Sequence, residues 1–225
     1  MANVGFRIIT KINRPEASLV AAFAGIPVAN IADNMNRMSC IDARIRPLNE
    51  ALLLGTAFTV RTRPGDNLLL HKAIDMAEPG DVIVVDAQGE TANAITGELM
   101  ISWLRNRGTA GLIVDGAVRD LSAIKAMDFP VYAAGISPKG PYKDGPGEIN
   151  VPVNCGGVVV NPGDILVGDQ DGVVVISPQD AAEILERAKE TVAKEQDVMQ
   201  AIQDGTWDRA WVDKILQAKG CEIID

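Results

Sequence analysis

Two short stretches of the chain hold residue types that could do chemistry together. In Gly111–Asp120 (GLIVDGAVRD) an apolar run, Leu112–Val114, ends at Asp115-Gly116, and a short loop then delivers Val118, Arg119 and Asp120 to the start of a helix. Ligands of parallel α/β sheets bind at the carboxyl ends of the strands. Arg119 there offers a planar fork for a carboxylate, and Asp120 a hard oxygen ligand for a cation. The pair also has a plain structural reading, in which Asp120 caps the next helix and Arg119 forms a surface ion pair.

The second stretch is Thr96-Gly97-Glu98-Leu99-Met100, with twenty residues between Glu98 and Arg119. A helix is expected to start here, with Thr96 as its cap and Gly97 at its first position. The first turn of a helix presents unpaired N–H groups, and a glycine lets a ligand approach the chain closely, so Gly97–Met100 form a candidate carboxylate site. Glu98 is favoured in a first turn by the helix dipole alone. If the two loops meet above adjacent strands, it also places an acid beside Asp120. Two carboxylates near one metal can bind it and order its waters for proton transfer.

These residues need strands and helices in alternation to hold them. Glu16–Asn36 has helical periodicity interrupted at Ile26-Pro27, which predicts two short helices. Leu52–Arg63 reads as a strand and Leu68–Met76 as a helix. Val82–Asp86 (VIVVD) is a β-branched run typical of a strand buried on both faces. Leu112–Val114 and Val131–Ala134 repeat that texture, with helices expected at Leu99–Asn106 and Leu121–Met127. Such alternation predicts parallel βαβ units. Residues 135–180 are rich in Gly and Pro and contain Val158–Val160, Ile165–Val167 and Val173–Ile176, which predict a β-rich second layer. Pro-Gly-Asp recurs at 64–66, 79–81 and 162–164, as turn chemistry before a helix or strand. From Ser177-Pro178-Gln179-Asp180 a long helix is expected to run to Gly205, with Ser177 as cap and Pro178 at the first position. Its apolar stripe, with Trp207 and Trp211 beyond it, fits either intrachain packing or a contact with a neighbouring subunit.

The bulk composition narrows the function. The chain has 225 residues, and its net charge of −9 with no run of Lys or Arg argues against general nucleic-acid binding. One domain, 1–225, is expected, with 177–225 as a helical extension suited to packing on a neighbouring subunit. Cys40, Cys155 and Cys221 form no CxxC or Cys/His cluster, which points away from structural zinc and toward a reducing compartment. No apolar stretch approaches the ~18 residues of a membrane span, and the N-terminus lacks a signal-peptide pattern. A cytoplasmic protein is expected.

Several segments together resemble the RraA-like family, whose enzymatic members are 4-hydroxy-4-methyl-2-oxoglutarate and 4-carboxy-4-hydroxy-2-oxoadipate aldolases. They are PGDN with LLLHKAID, PGDVIVVD, GEL at Gly97–Leu99, GLIVDGAVRD, and the block GPYKDGPGEINVPVNCGGVVVNPGDILVGDQDGVVVI. The likeness covers roughly residues 20–205. It implies an α/β fold with a swivelling β/β/α layered core and a long C-terminal helix, assembled as a homotrimer or homohexamer. It also implies a carbon–carbon lyase acting on 2-oxo acids, with oxaloacetate decarboxylation as a second activity. The family marks its aldolases by an acid, twenty residues and Arg-Asp; here Glu98 stands where Asp is more usual. Carried over, the amides of Gly97, Glu98, Leu99 and Met100 would hold the pyruvate carboxylate with Arg119. Asp120 would hold Mg²⁺ or Mn²⁺, and Glu98 would order a water that moves the proton. The family often has an acid three residues after that Asp. Ala123 stands there, and Glu195 of a neighbouring subunit is a candidate replacement.

Other residues carry weaker signals. His71, the one histidine, is expected to be structural, and nothing near Lys72 suggests a Schiff base. Lys139 and Lys143 in ISPKGPYKDGPG are better suited to steering an anion; they and Arg61 or Arg63 could bind a second carboxylate. Cys155 is expected to pack beside glycines. The alternative function is that of a non-catalytic relative that binds a ribonuclease, and Glu98 argues against it. A methyltransferase would need a glycine-rich turn after its first strand, and a phosphohistidine carrier would rest on His71 alone.

Overall fold

The computed structural model describes residues 3–224. The chain divides into two compact units, Met1–Ala188 and Lys189–Asp225. In chain order the first unit holds β1 (Phe6–Ile8), α1 (Ala17–Ala21), α2 (Val28–Asp33), β2 (Arg46–Pro47), β3 (Leu53–Thr62), α3 (Leu68–Met76), β4 (Asp81–Thr96), α4 (Glu98–Asn106), β5 (Gly111–Val118), α5 (Leu121–Lys125), β6 (Val131–Ile136), β7 (Gly147–Ile149), β8 (Val153–Cys155), β9 (Val158–Val160), β10 (Ile165–Asp169) and β11 (Gly172–Ile176). Helix α6 (Ala181–Gln203) begins in that unit and continues into the second, which also holds α7 (Ala210–Ala218).

The expected βαβ alternation is present: β3, β4, β5 and β6 are parallel neighbours joined through α3, α4 and α5. Strand β3 pairs antiparallel with β10 through Leu53–Thr56 and with β7 through Val60–Thr62, so one long strand serves two partners. The strand period of two sorts the side chains between faces. Phe58, Val60, Ile83, Val85, Leu112 and Val114 pack with Leu70, Ile74, Ile101, Leu104 and Ile124 of α3–α5. Ala57, Val82, Val84 and Ile113 point the other way, onto Val151, Val153, Val160, Leu166 and Val175. This is the β-rich second layer expected from residues 135–180. A third cluster joins Phe23, Val28 and Ile31 to Val174, Ile176 and the first two turns of α6. Among the described residues, no helix is long and apolar enough to cross a membrane.

Some boundaries differ from expectation. Strand β4 continues ten residues past Asp86, through AQGETANAIT, with register shifts against β5. That stretch has no apolar alternation; the Glu90 carboxylate accepts the amides of Ala92 and Asn93 and carries the chain through the irregularity. Strand β5 likewise runs through Asp115-Gly116 instead of ending there. Gly116 lies against β4, where a Cβ would come within 2.9 Å of Ala87 Cβ. The Ser177 side chain donates to Gln179 Oε1, and α6 starts later, at Ala181. In the second unit, Trp207 and Trp211 are both substantially exposed, and the Arg209 guanidinium lies 5.0 Å from the Trp207 ring centre.

Candidate functional site

The end of β4 and the end of β5 are neighbours, with Thr96 opposite Val118. The Arg119 amide donates to Thr96 O at 3.0 Å, and this brings the two stretches singled out in the sequence side by side. Helix α4 begins one residue later than expected. Thr96 is the last residue of β4, Gly97 is the N-cap with φ −165° and ψ −165°, and Glu98 is the first helical residue. Gly97 is favoured by proximity, not by its backbone angles: any larger residue would push the Asp120 and Arg119 side chains aside. A Cβ there would collide with Asp120 Oδ2 and come within 2.8 Å of Arg119 Cγ.

Asp120 does not cap its own helix. It has φ +63° and ψ +38°, in the left-handed region that Asp tolerates better than most residues, and its side chain makes no bond to α5. Its Oδ2 instead accepts the Glu98 amide of α4 at 3.0 Å. The Arg119 Nε lies 3.6 Å from the same oxygen, and both side chains remain about half exposed. The expected surface ion pair is therefore real but loose, and the expected cap is made across to a different helix. The amides of Leu99 and Met100, in the first turn of α4, have no intrahelical acceptor.

A cavity of about 200 Å³ opens at this junction. One side is formed by Ala94–Gly97, Leu99, Met100, Arg119 and Asp120, and the remainder by Asn67, His71, Pro141 and Lys143. Two buried side-chain oxygens on its wall, Asn67 Oδ1 and Thr96 Oγ1, have no hydrogen-bond partner among the described residues. The Asn67 amide group is fixed, donating to Ile95 O at 2.8 Å. Buried polar atoms are rarely left unpaired, so two on one cavity wall point to a polar ligand or water there. A larger groove of about 640 Å³ along Pro47–Ala51 and Lys125–Asp128 has no such atom and no arginine–carboxylate pair.

The structure thus gathers Gly97, Leu99, Met100, Arg119 and Asp120 around one space. Glu98 joins through its backbone; its side chain is exposed and lies outside the cavity lining. Lys143 reaches the cavity, while Lys139 contributes its backbone, accepting the Ala94 amide at 2.8 Å. Arg61 is engaged by Glu148 at 3.1 Å and Arg63 by Asp66 at 3.2 Å, and neither lines the cavity. Cys155 is fully buried and its thiol is pushed up by burial, as fits a packing role. His71 was expected to be structural, yet it lines the cavity. Burial, and then the Lys143 charge, lower its pKa, so at neutral pH it stands as an uncharged imidazole. Sequence reasoning also missed Asn67; the available signal was that Asn67 and His71 lie four apart, one turn along α3.

Among the described residues there is no group of three or more His, Cys, Asp or Glu that could hold a metal. What the cavity offers is one half-exposed carboxylate, Asp120, whose second oxygen has no partner among the described residues. That donor set is too sparse for a structural metal. It fits a hard cation such as Mg²⁺, which keeps several waters and shares its coordination between one or two carboxylates and a bound substrate.

Residues 28–175 match the family model described as RraA-like, Aldolase/RraA. A relative from Halalkalibacterium halodurans, named "Putative 4-hydroxy-4-methyl-2-oxoglutarate aldolase", is 39% identical over 207 residues, covering 91% of this chain and 99% of its own. Among solved structures, an uncharacterized protein from Pseudomonas syringae superposes with a TM-score of 0.78 at 24% identity, covering 86% of this chain and 96% of its own. Streptomyces coelicolor RraAS2, described as an unusual member of the RNase ES inhibitor RraA family, superposes with a TM-score of 0.76 at 27% identity, covering 83% and 98%.

Proposed function

The chain belongs to the RraA-like family, and from that premise we propose that it is a divalent-metal-dependent pyruvate aldolase. It cleaves 4-hydroxy-2-oxo acids such as 4-hydroxy-4-methyl-2-oxoglutarate to pyruvate and a second oxo acid, and decarboxylates oxaloacetate through the same enolate. The observation that carries the reading is the meeting of a helix N-terminus with Arg119 and Asp120 over one cavity. The aldolase name of the relative from Halalkalibacterium halodurans supports it.

Each residue has a role in this reading. The amides of Leu99 and Met100 would receive the carboxylate at C1, at a helix terminus opened by Gly97; the Glu98 amide, expected to share in this, is taken by Asp120 Oδ2 at 3.0 Å. Arg119 would help to hold the C1 carboxylate and would face the C2 oxygen, where negative charge develops as the C3–C4 bond breaks; a donor aimed there stabilises the transition state more than the ketone. Asp120 would hold Mg²⁺ or Mn²⁺, which supplies Lewis-acid stabilisation of that same oxygen. Lys143, on the cavity wall, would meet a second carboxylate at the distal end of the substrate. Assembly as a homotrimer or homohexamer belongs to the same reading, with residues 177–225 on a neighbouring subunit and Glu195 as the acid that Ala123 lacks. A monomer by sedimentation would remove that part.

Glu98 acts through ordered water, since its carboxylate stands outside the cavity. Glu98→Ala is expected to lower kcat by about 10²-fold, the usual scale for losing a general acid–base group, with KM within about threefold. Parallel loss of substrate affinity, measured by steady-state kinetics, would show that Glu98 binds and does not move protons.

The reading as a whole is tested by pyruvate release from oxaloacetate and from 4-hydroxy-4-methyl-2-oxoglutarate, first with EDTA and then with Mg²⁺ or Mn²⁺ restored. Pyruvate that appears only with metal supports the lyase, and the ratio of rates tells aldolase from decarboxylase. No pyruvate under any condition favours the other reading, a ribonuclease-binding regulator, to which the likeness to the Streptomyces coelicolor protein points.

A further inference from the structure

The turn Pro64-Gly65-Asp66 differs from its two sequence copies in what its carboxylate holds: Asp81 also takes the distant Arg14 guanidinium, at 2.9 and 2.8 Å, whereas Asp66 binds the main chain of a distant segment. Asp81 and Asp164 each accept the amide three residues before them, Glu78 at 2.8 Å and Asn161 at 2.7 Å. Asp66 makes one local bond, from the Leu68 amide to Oδ1 at 2.9 Å. Its Oδ2 accepts the amides of Asp144 at 2.7 Å and Gly145 at 3.0 Å, across nearly eighty residues of chain. Arg63 completes the shell at 3.2 Å, and the Asp66 side chain is only 1% exposed.

Main-chain bonds continue the seam. The Tyr142 amide donates to Gly65 O at 2.8 Å, and the Asn67 amide donates to Tyr142 O at 3.0 Å. The segment fastened in this way, GPYKDGPG at 140–147, carries Pro141 and Lys143 onto the cavity wall. It has few apolar side chains with which to hold itself, and Tyr142 is mostly exposed. Burial would raise the Asp66 carboxyl, but three amides and Arg63 outweigh it and hold the group below its ordinary range. The knot is therefore charged throughout the neutral range.

We propose that Asp66 is a positioning residue of the site: its buried carboxylate ties the 140–147 segment to the entrance of α3 and thereby fixes where Lys143 stands in the cavity. This rests on reading the cavity as an oxo-acid site. The tie itself can be tested without that reading. By hydrogen exchange of the unaltered protein, the Asp144 and Gly145 amides should be slowed at least about 100-fold relative to free peptide. Exchange at free-peptide rates would overturn the proposal, whether or not any variant folds.

The consequence for the site is read by kinetics. Asp66→Asn replaces an all-acceptor group with one that must turn a donor toward backbone donors, so the segment should come loose. KM for the oxo acid is expected to rise about 10-fold, with kcat within about threefold. Asp164→Asn, the same motif away from the cavity, should lose comparable stability and keep its KM. In the double variant with Lys143→Ala, the KM should be no higher than in Lys143→Ala alone, because both changes remove the same contact. Multiplying effects, or an unchanged KM in folded Asp66→Asn, would sink the positioning role. If the unaltered protein forms no pyruvate, the lyase reading fails while the exchange measurement still decides the tie.

Discussion

Arg119→Ala is expected to lower kcat/KM for pyruvate formation by about 10³-fold while leaving the fold intact. The kinetic expectation follows from the position of the guanidinium, beside the free amides of α4 and over the cavity, where charge would develop on the substrate. Removing one preorganised donor from such a place usually costs about 10²–10³ in rate, and Arg119 also contributes to holding the carboxylate. The structural expectation follows from how little the side chain supports. It is about half exposed, and its contact with Asp120 is a loose 3.6 Å. Ion pairs of that kind contribute between nothing and about 1 kcal/mol. Thermal denaturation of the variant should therefore lie within a few degrees of the parent. Arg119→Lys should recover only a small part of the activity, because an ammonium keeps the charge and loses the planar fork. A folded Arg119→Ala protein with parental kcat/KM would remove Arg119 from the mechanism and, with it, the main support for the lyase.

Asp120 has two duties, and two substitutions separate them. Its carboxylate accepts the Glu98 amide, and it is the candidate cation ligand. Asp120→Asn keeps an acceptor for that amide and a residue type that tolerates the left-handed backbone at φ +63°. It should melt close to the parent, yet lose activity by about 10³-fold and no longer respond to added Mg²⁺ or Mn²⁺. Asp120→Ala loses the cap and places a Cβ-bearing residue without a local polar group in the left-handed region. These losses are worth about 1 kcal/mol each, so its melting temperature should fall by several degrees in addition to the same loss of activity. Kinetics as a function of metal concentration, beside melting curves for both variants, make the comparison. A normal metal response in Asp120→Asn would place the cation elsewhere.

Much of the fold is legible in the amino-acid sequence because it depends on local rules. Period-3.6 apolar spacing sets Leu68–Met76 as a helix, and the structure has that helix with the same ends. Apolar runs mark the first parts of β4, β5 and β6, and Pro27 divides α1 from α2. The chemical character of Arg119-Asp120, and of a glycine before the α4 helix, can likewise be read from residue types. What the sequence could not determine is anything set by register between distant strands. The bulged pairing of β4 with β5 puts Thr96 opposite Val118, and that alone brings the α4 N-terminus against Asp120. The same pairing moves the helix start from Gly97 to Glu98 and turns the Asp120 carboxylate away from its own helix. His71 and Asn67 enter the cavity because α3 packs beside that junction, and Lys143 enters because Asp66 ties its segment there. Apolar periodicity reports which face of an element is buried. It carries no information about which polar groups from distant parts of the chain will share the remaining space, since that is decided by packing and by the need to satisfy each buried donor and acceptor.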